Sequence, residues 1–158
     1  MTGQANLCLN SEQTMPNFRF LPEISTAGVA FEAFGRTQRQ LLENAARALE
    51  EAMVDTKTVR NREKEAFNLR EGSLPELLFS LLEHLVFLKD AKQLLFKQIK
   101  LGVEREGKRW MLQGFAYGER IDPKKHKLKV DVKAPTKHLY EVGKTKTGMF
   151  RAQVILDI

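Results

Sequence analysis

Apolar and polar positions change period several times along this chain, and each change marks an element. Phe18 and Phe20 alternate with polar neighbours, and Val29, Phe31 and Ala33 do the same after a stretch containing Pro22. That two-residue period predicts two short strands joined by a proline-containing connection. The segment RTQRQLLENAARALEEAMVD then shifts to helical spacing. Thr37 suits an N-cap, and Gln40 stands three residues later, as a capping box requires. Leu41, Ala45, Ala48, Leu49, Ala52 and Met53 form its apolar stripe, with Arg39, Glu43, Arg47 and Glu50 expected on the solvent side. A second helix opens the same way: Ser73 caps, Glu76 completes the box, and Leu74, Leu77, Leu78, Leu81, Leu82 and Leu85 make a broad core face.

Between the helices the chain is highly charged, but Phe67 and Leu69 fit one strand. After them, Ile99, Leu101 and Val103 alternate, Glu106-Gly107-Lys108 forms a turn, and Trp110, Leu112 and Tyr117 follow, which predicts a hairpin. Leu128, Val130 and Val132 alternate again, Gly143 to Gly148 reads as a polar turn, and Val154, Leu156 and Ile158 end the chain as a strand with one buried face. The expected fold class is α+β, a single domain with two helices packed on a largely antiparallel β-sheet. Residues 1–16 are polar and aperiodic and are expected to form a flexible tail, with the domain spanning 17–158.

Composition adds limits. The chain has 158 residues, 42% of them hydrophobic and 29% charged, which suits one soluble domain with a real core. No apolar run approaches the roughly 20 residues that a membrane helix needs, and the N-terminus lacks the pattern of a secretory signal. Cys8 is the only cysteine, so no internal disulfide forms; this fits a reducing, cytoplasmic setting. The net charge of +6 is concentrated: residues 119–151 hold ten Lys/Arg against four Asp/Glu. Such a patch attracts RNA, nucleotide phosphates or an acidic partner, or simply guards edge strands.

Chemistry-bearing motifs are few. GKTKTG at 143–148 lacks the first glycine of a phosphate-binding loop and reads as a hairpin turn. One cysteine excludes a CxxC site, and His84, His126 and His138 have no metal-ligand spacing. What remains is polar residues in or beside strands. Asp131 and Lys133 face away from Val130 and Val132, Glu119 follows Gly118, and Asp157 stands one residue before the end. Asp157 and a terminal carboxylate on Ile158 would repel each other unless a cation lies between them. Carboxylates with backbone or terminal oxygens suit a hard divalent ion such as Mg²⁺, Ca²⁺ or Mn²⁺. From the ending alone, solvation at a mobile terminus is the plainer reading.

The order of the segments FLPEISTAGVAFEAFGRTQRQLLENAARALEEAMVD, SLPELLFSLLEHLVFL, YGERID, HKLKVDVKAPTKHLY and AQVILDI resembles the archeases over about residues 18–158. The resemblance implies a cytosolic accessory protein of the RtcB-type tRNA-splicing RNA ligase, which joins RNA ends using GTP and a divalent metal through a guanylylated histidine. It implies promotion of guanylylation and turnover, not ligation itself. It also implies a divalent ion near the chain end, with Asp157 and Ile158 as ligands. A functional lysine falls on Lys133, and Glu119 and His138 are weaker candidates. The chain departs from the pattern where the family has Thr-Ala-Asp, for here it reads Thr26-Ala27-Gly28. Gly28 has no side chain to bind a metal. The chain is then a disabled variant, a divergent member using Glu23 or Glu32, or one that keeps partner binding without the metal.

Rival functions follow from the residues. An RNA-binding module would present the basic strands to substrate, but Trp110, Tyr117 and Tyr140 read as scattered, without a stacking platform. A chaperone-like interaction module needs neither metal nor nucleotide, and Gly28 favours it modestly. A metal-dependent hydrolase lacks a nameable nucleophile or base.

Overall fold

The computed structural model describes residues 17–24 and 27–158. The expected tail at 1–16, and Thr26 of the Thr-Ala-Gly stretch, lie outside the described residues. The order is β1 (Phe18–Phe20), β2 (Gly28–Gly35), α1 (Gln38–Met53), a short 3-10 turn (Thr56–Thr58), β3 (Glu63–Glu71), α2 (Leu74–Lys92), β4 (Leu94–Glu106), β5 (Arg109–Arg120), β6 (Ala134–Lys144) and β7 (Phe150–Asp157).

The strands form two sheets, β1-β2-β7-β6 and β3-β5-β4, and every pairing is antiparallel. The α+β class and the two helices are as expected; the single sheet is replaced by two. Each helix touches both sheets. This is why α1 buries Leu42 and Ala46 as well as its expected stripe, and why α2 is leucine-rich around much of its girth. A helix covered on two sides needs a wide apolar face. Phe31, Phe96, Leu41, Leu49, Leu81 and Leu85 anchor the shared core.

Local signals set the helix starts. Thr37 Oγ1 accepts from the Gln40 N–H at 3.1 Å, and Ser73 Oγ accepts from the Glu76 N–H at 3.3 Å. Gln40 Oε1 takes the N–H of Arg36 at 2.9 Å, one residue before the cap. The β4–β5 hairpin closes through Gly107 at φ 64°, a left-handed conformation that glycine adopts without strain.

Three expectations need correction. Glu50 is not on the solvent side of α1; it is 1% exposed, because β4 packs over that side of the helix. Leu128 to Val132 is extended but is not a sheet strand. Its backbone instead bonds the end of α1, with Lys129 N–H to Met53 O at 2.8 Å and Val130 N–H to Ala52 O at 3.2 Å. Finally, β7 is buried on both faces. Val154 and Leu156 join the main core, while Ile155 packs with Leu21, Ala30 and Ile24 on the other side. The cause is the segment between β1 and β2, whose Leu21 and Ile24 cover the face of the sheet turned away from the helices.

Candidate functional site

The end of β7 lies between the starts of β2 and β6. Asp157 pairs with Gly28 on one side and Ala134 on the other. The Lys133 N–H donates to the backbone carbonyl of Asp157 at 2.8 Å. Lys133, Asp157 and Ile158 are exposed. Two rows inward, on the same face, Ile155 pairs with Ala30 and Thr136, and Thr136 Oγ1 donates to Ile155 O at 2.9 Å. A shallow pocket of about 240 Å³ opens there, bounded by Ala27, Gly28, Thr136, His138 and Ile155 among others. Five sequence candidates thus gather at one end of the four-stranded sheet: Gly28, Lys133, His138, Asp157 and Ile158.

Glu119 is elsewhere. It ends β5 in the other sheet and is buried. Oε2 accepts from the Arg60 N–H at 2.8 Å and lies 2.9 Å from His126 Nε2, while Oε1 meets Lys125 Nζ at 2.7 Å and Arg62 Nε at 3.4 Å. Burial pushes its carboxyl up, but the His126, Lys125 and Arg60 hydrogen bonds outweigh it and hold the pKa at about 2. These contacts clamp the 121–127 loop against residues 60–62, and they fill the carboxylate's bonding capacity.

A second clamp sets the position of Lys133. Lys89 on α2 is buried; its ammonium donates to the Asp131 carboxylate and to Val132 O at 2.6 Å, and lies 2.8 Å from Asp90. Burial lowers its pKa, yet Asp131 and Asp90 raise it on balance, so the charge is held. Sequence reading missed both Lys89 and Glu50. The signal was present: Lys89 follows Leu85, and Glu50 follows Ala46, at the four-residue spacing that puts both on apolar stripes.

Can this edge hold a divalent ion? The row offers the Asp157 side chain, and Gly28 faces it with none. Glu32 lies further along β2, on the same face as Gly28. Its two oxygens are taken, by Arg19 Nε at 2.5 Å and Arg151 Nε at 2.6 Å. Burial raises the Glu32 pKa, but the two arginines lower it on balance, Arg151 more than Arg19. Glu23 is exposed in the turn at 22–24. Among the described residues no group of three or more His, Cys, Asp or Glu side chains converges. Hard divalent ions take about six oxygens, usually several from carboxylates. The described residues fall short of such a set.

These features define a small α+β domain whose candidate residues line a strand-end edge instead of a deep cleft. Residues 18–158 match the model of the Archease protein family (MTH1598/TM1083), and the chain belongs to that family. The protein archease of Pyrococcus furiosus is 32% identical over 133 residues, covering 84% of this chain and 94% of that one. The protein archease of Methanothermobacter thermautotrophicus is 33% identical over 144 residues, covering 91% and 100%. The solution structure of Methanobacterium thermoautotrophicum protein 1598 superposes with a TM-score of 0.80 at 33% identity, over 91% of this chain and 100% of that one. Among the described residues no helix is long and apolar enough to cross a membrane.

Proposed function

We propose that this chain is a cytoplasmic accessory protein that activates an RtcB-type RNA ligase, promoting its GTP-dependent guanylylation and turnover, and is not itself the enzyme. The observation that carries the reading is the meeting of Lys133, Asp157 and Gly28 at one sheet edge, within a fold of the archease family. Lys133 is exposed on a backbone held by Asp157 O and by the Lys89 clamp. A lysine there supplies a flexible point charge to GTP phosphates or to a ligase carboxylate. The basic excess of residues 119–151 favours docking to an acidic or phosphate-bearing surface.

Gly28 weakens divalent binding, because it removes a carboxylate from the position beside Asp157. The same residue favours a second reading, a chaperone-like or RNA-binding module that works without metal. Transfer of GMP from labelled GTP to the cognate ligase, in Mn²⁺, separates these readings. This chain, its Gly28→Asp version and its Lys133→Ala version are compared. Stimulation only by Gly28→Asp means that the edge carboxylate drives activation. Equal stimulation by both puts the effect on docking and Lys133, and Lys133→Ala then abolishes it without unfolding the protein. If neither stimulates, the activator reading fails.

A further inference from the structure

The outer face of the three-stranded sheet carries an organised surface that the ligase reading does not use. On the central strand β5, Phe115 and Tyr117 stand two residues apart, so both rings rise from the same face, about 7 Å apart along the strand. The register sets three rows across the sheet: Lys64–Tyr117–Gln98, Ala66–Phe115–Lys100 and Asn68–Gln113–Gly102. The flanking residues of all three rows are exposed, while the two rings are half-buried. Lys64 Nζ lies 4.5 Å from the Phe115 ring centre and 5.9 Å from that of Tyr117, and Lys100 Nζ lies 5.8 Å from Tyr117. No carboxylate occurs in these rows.

The next rows extend the pattern. Beyond Gln113 the next row is Arg70–Met111–Glu104, and there the face sinks into a depression of about 390 Å³ bounded by Asn68, Arg70, Gly102, Glu104 and Met111 among others; Glu104 brings a carboxylate to this end of the face, across β5 from Arg70. Gly102 opens it, since a Cβ there would meet only Gln113 O, at 4.0 Å. Beyond Tyr117 stands Arg62, whose side chain is 62% exposed although it touches Glu119. Core packing explains none of this, because the core is on the opposite face, with Phe67, Ile99, Leu101 and Leu112. Sequence reading saw scattered aromatics because it paired Tyr117 with Trp110 and Tyr140. Trp110 lies on the opposite face of β5, and Tyr140 packs on Phe79 at 5.5 Å beside α2.

We infer that this face binds a single-stranded nucleic acid, with successive bases stacked on Tyr117 and Phe115. Lys64, Lys100 and Arg62 take the phosphates, and Asn68 and Gln113 offer amide donors and acceptors to base edges over the depression. Adjacent π-faces at strand spacing, in three rows that hold cations and amides and no carboxylate, complement a strand whose bases are unstacked and whose backbone is anionic. An acidic protein would be served by the lysines alone and gives no reason for the ring pair. In the unbound protein the lysines cover the rings; a bound base displaces them toward phosphates. The surface stands apart from the strand-end edge, so its test is independent of the ligase reading.

The experiment is fluorescence anisotropy of a labelled oligouridine of about 12 nucleotides, long enough to cross the face, titrated with the full chain. Phe115→Leu and Tyr117→Leu keep apolar bulk and remove the aromatic face. Each is expected to weaken binding about ten-fold, since stacking dominates such sites. Lys64→Gln with Lys100→Gln is expected to flatten the salt dependence by about 0.7 in logarithmic slope for each phosphate no longer neutralised. Melting curves show whether each variant is folded, and the lysine pair, remote from the core, tests the surface even if a ring variant is not. Ring protons of Phe115 and Tyr117 shifting on titration with oligouridine would support the assignment. Three results overturn it: no binding at low salt; binding that both variant sets leave unchanged; or polyglutamate competing as well as oligouridine.

Discussion

Two buried glutamates in this fold have opposite fates. Glu119 is surrounded by donors and held at about 2, whereas Glu50 receives one Phe96 N–H at 2.9 Å and its Oε2 finds no partner among the described residues. Burial lifts Glu50 to about 8, against the smaller opposing pulls of that hydrogen bond and of Lys89. In the unfolded chain it ionises near 4.5, so the unfolded state binds fewer protons between these values. Stability should therefore fall as pH rises through this window, by up to about 1.4 kcal/mol per unit, and level off above it. Glu50→Gln keeps the acceptor for Phe96 and cannot ionise. Urea melts should show it near wild type at about pH 5 and more stable than wild type at about pH 8.5. Glu119 works in reverse. Its contribution is full above 4.5 and is lost as pH falls toward 2. Glu119→Gln should cost about 2 kcal/mol at neutral pH, reduced from the value for a dry pair because Arg62 and Lys125 reach solvent. It should also lessen the fall in urea midpoint expected for wild type between pH 4.5 and 2, the remainder belonging to carboxyls such as Glu32 that are also held down.

At the scale of elements, β4 and β5 show how a tight sheet accommodates a polar group. The β4 register slips between Phe96 and Gln98, so Lys97 bulges, and the Phe96 N–H turns to Glu50. Opposite the bulge is Gly118, where an added Cβ would sit 1.8 Å from Leu95 O. Backbone cannot yield as a side-chain tip does. Gly118→Ala should lower stability by about 3 kcal/mol, at the upper end of overpacking costs, read as a drop in melting temperature with reduced expression. The same elements explain what the sequence disclosed. Both helices were legible because caps and apolar stripes are local signals, and the β4–β5 hairpin because Gly107 marks its turn. The 128–132 segment misled in part: Val132 is buried and Val130 packs against the core, but Leu128 is 44% exposed. Alternation does not report the backbone partner, which here is the end of a helix and not a strand. Glu50 and Lys89 were hidden by the assumption that a charged residue on a helix faces water.

At the scale of the molecule, the candidate edge is assembled from residues far apart in sequence. Spacing alone left Asp157 as a solvated terminal group; the archease resemblance grouped it with Gly28 and Lys133, and the sheet register brings the three together. Glu119, grouped with them by the same resemblance, proved to be in the other sheet, since a short motif does not specify which face of a fold it occupies. Gly28→Asp would place a second carboxylate facing Asp157 at this edge. The expected result is a melting temperature that rises with added Ca²⁺ or Mn²⁺ for Gly28→Asp and stays constant for this chain, because only a site that binds the folded state stabilises it.

The position of β7 has a further consequence, for the order in which the chain folds. The strand β7, made after all the others described, is the inner partner of both β2 and β6. During synthesis β2 emerges early, yet the edge it offers to β7 stays open until Phe150–Asp157 has left the ribosome. Closing a loop that spans nearly the whole domain is slow, and unpaired strand edges invite association with other chains. The three-stranded sheet, whose strands are all made by Arg120, can form earlier. A nascent chain stalled before Phe150 would thus hold one complete sheet and one with its middle missing, which makes the pairing of this eight-residue strand the step that commits the molecule to a closed form.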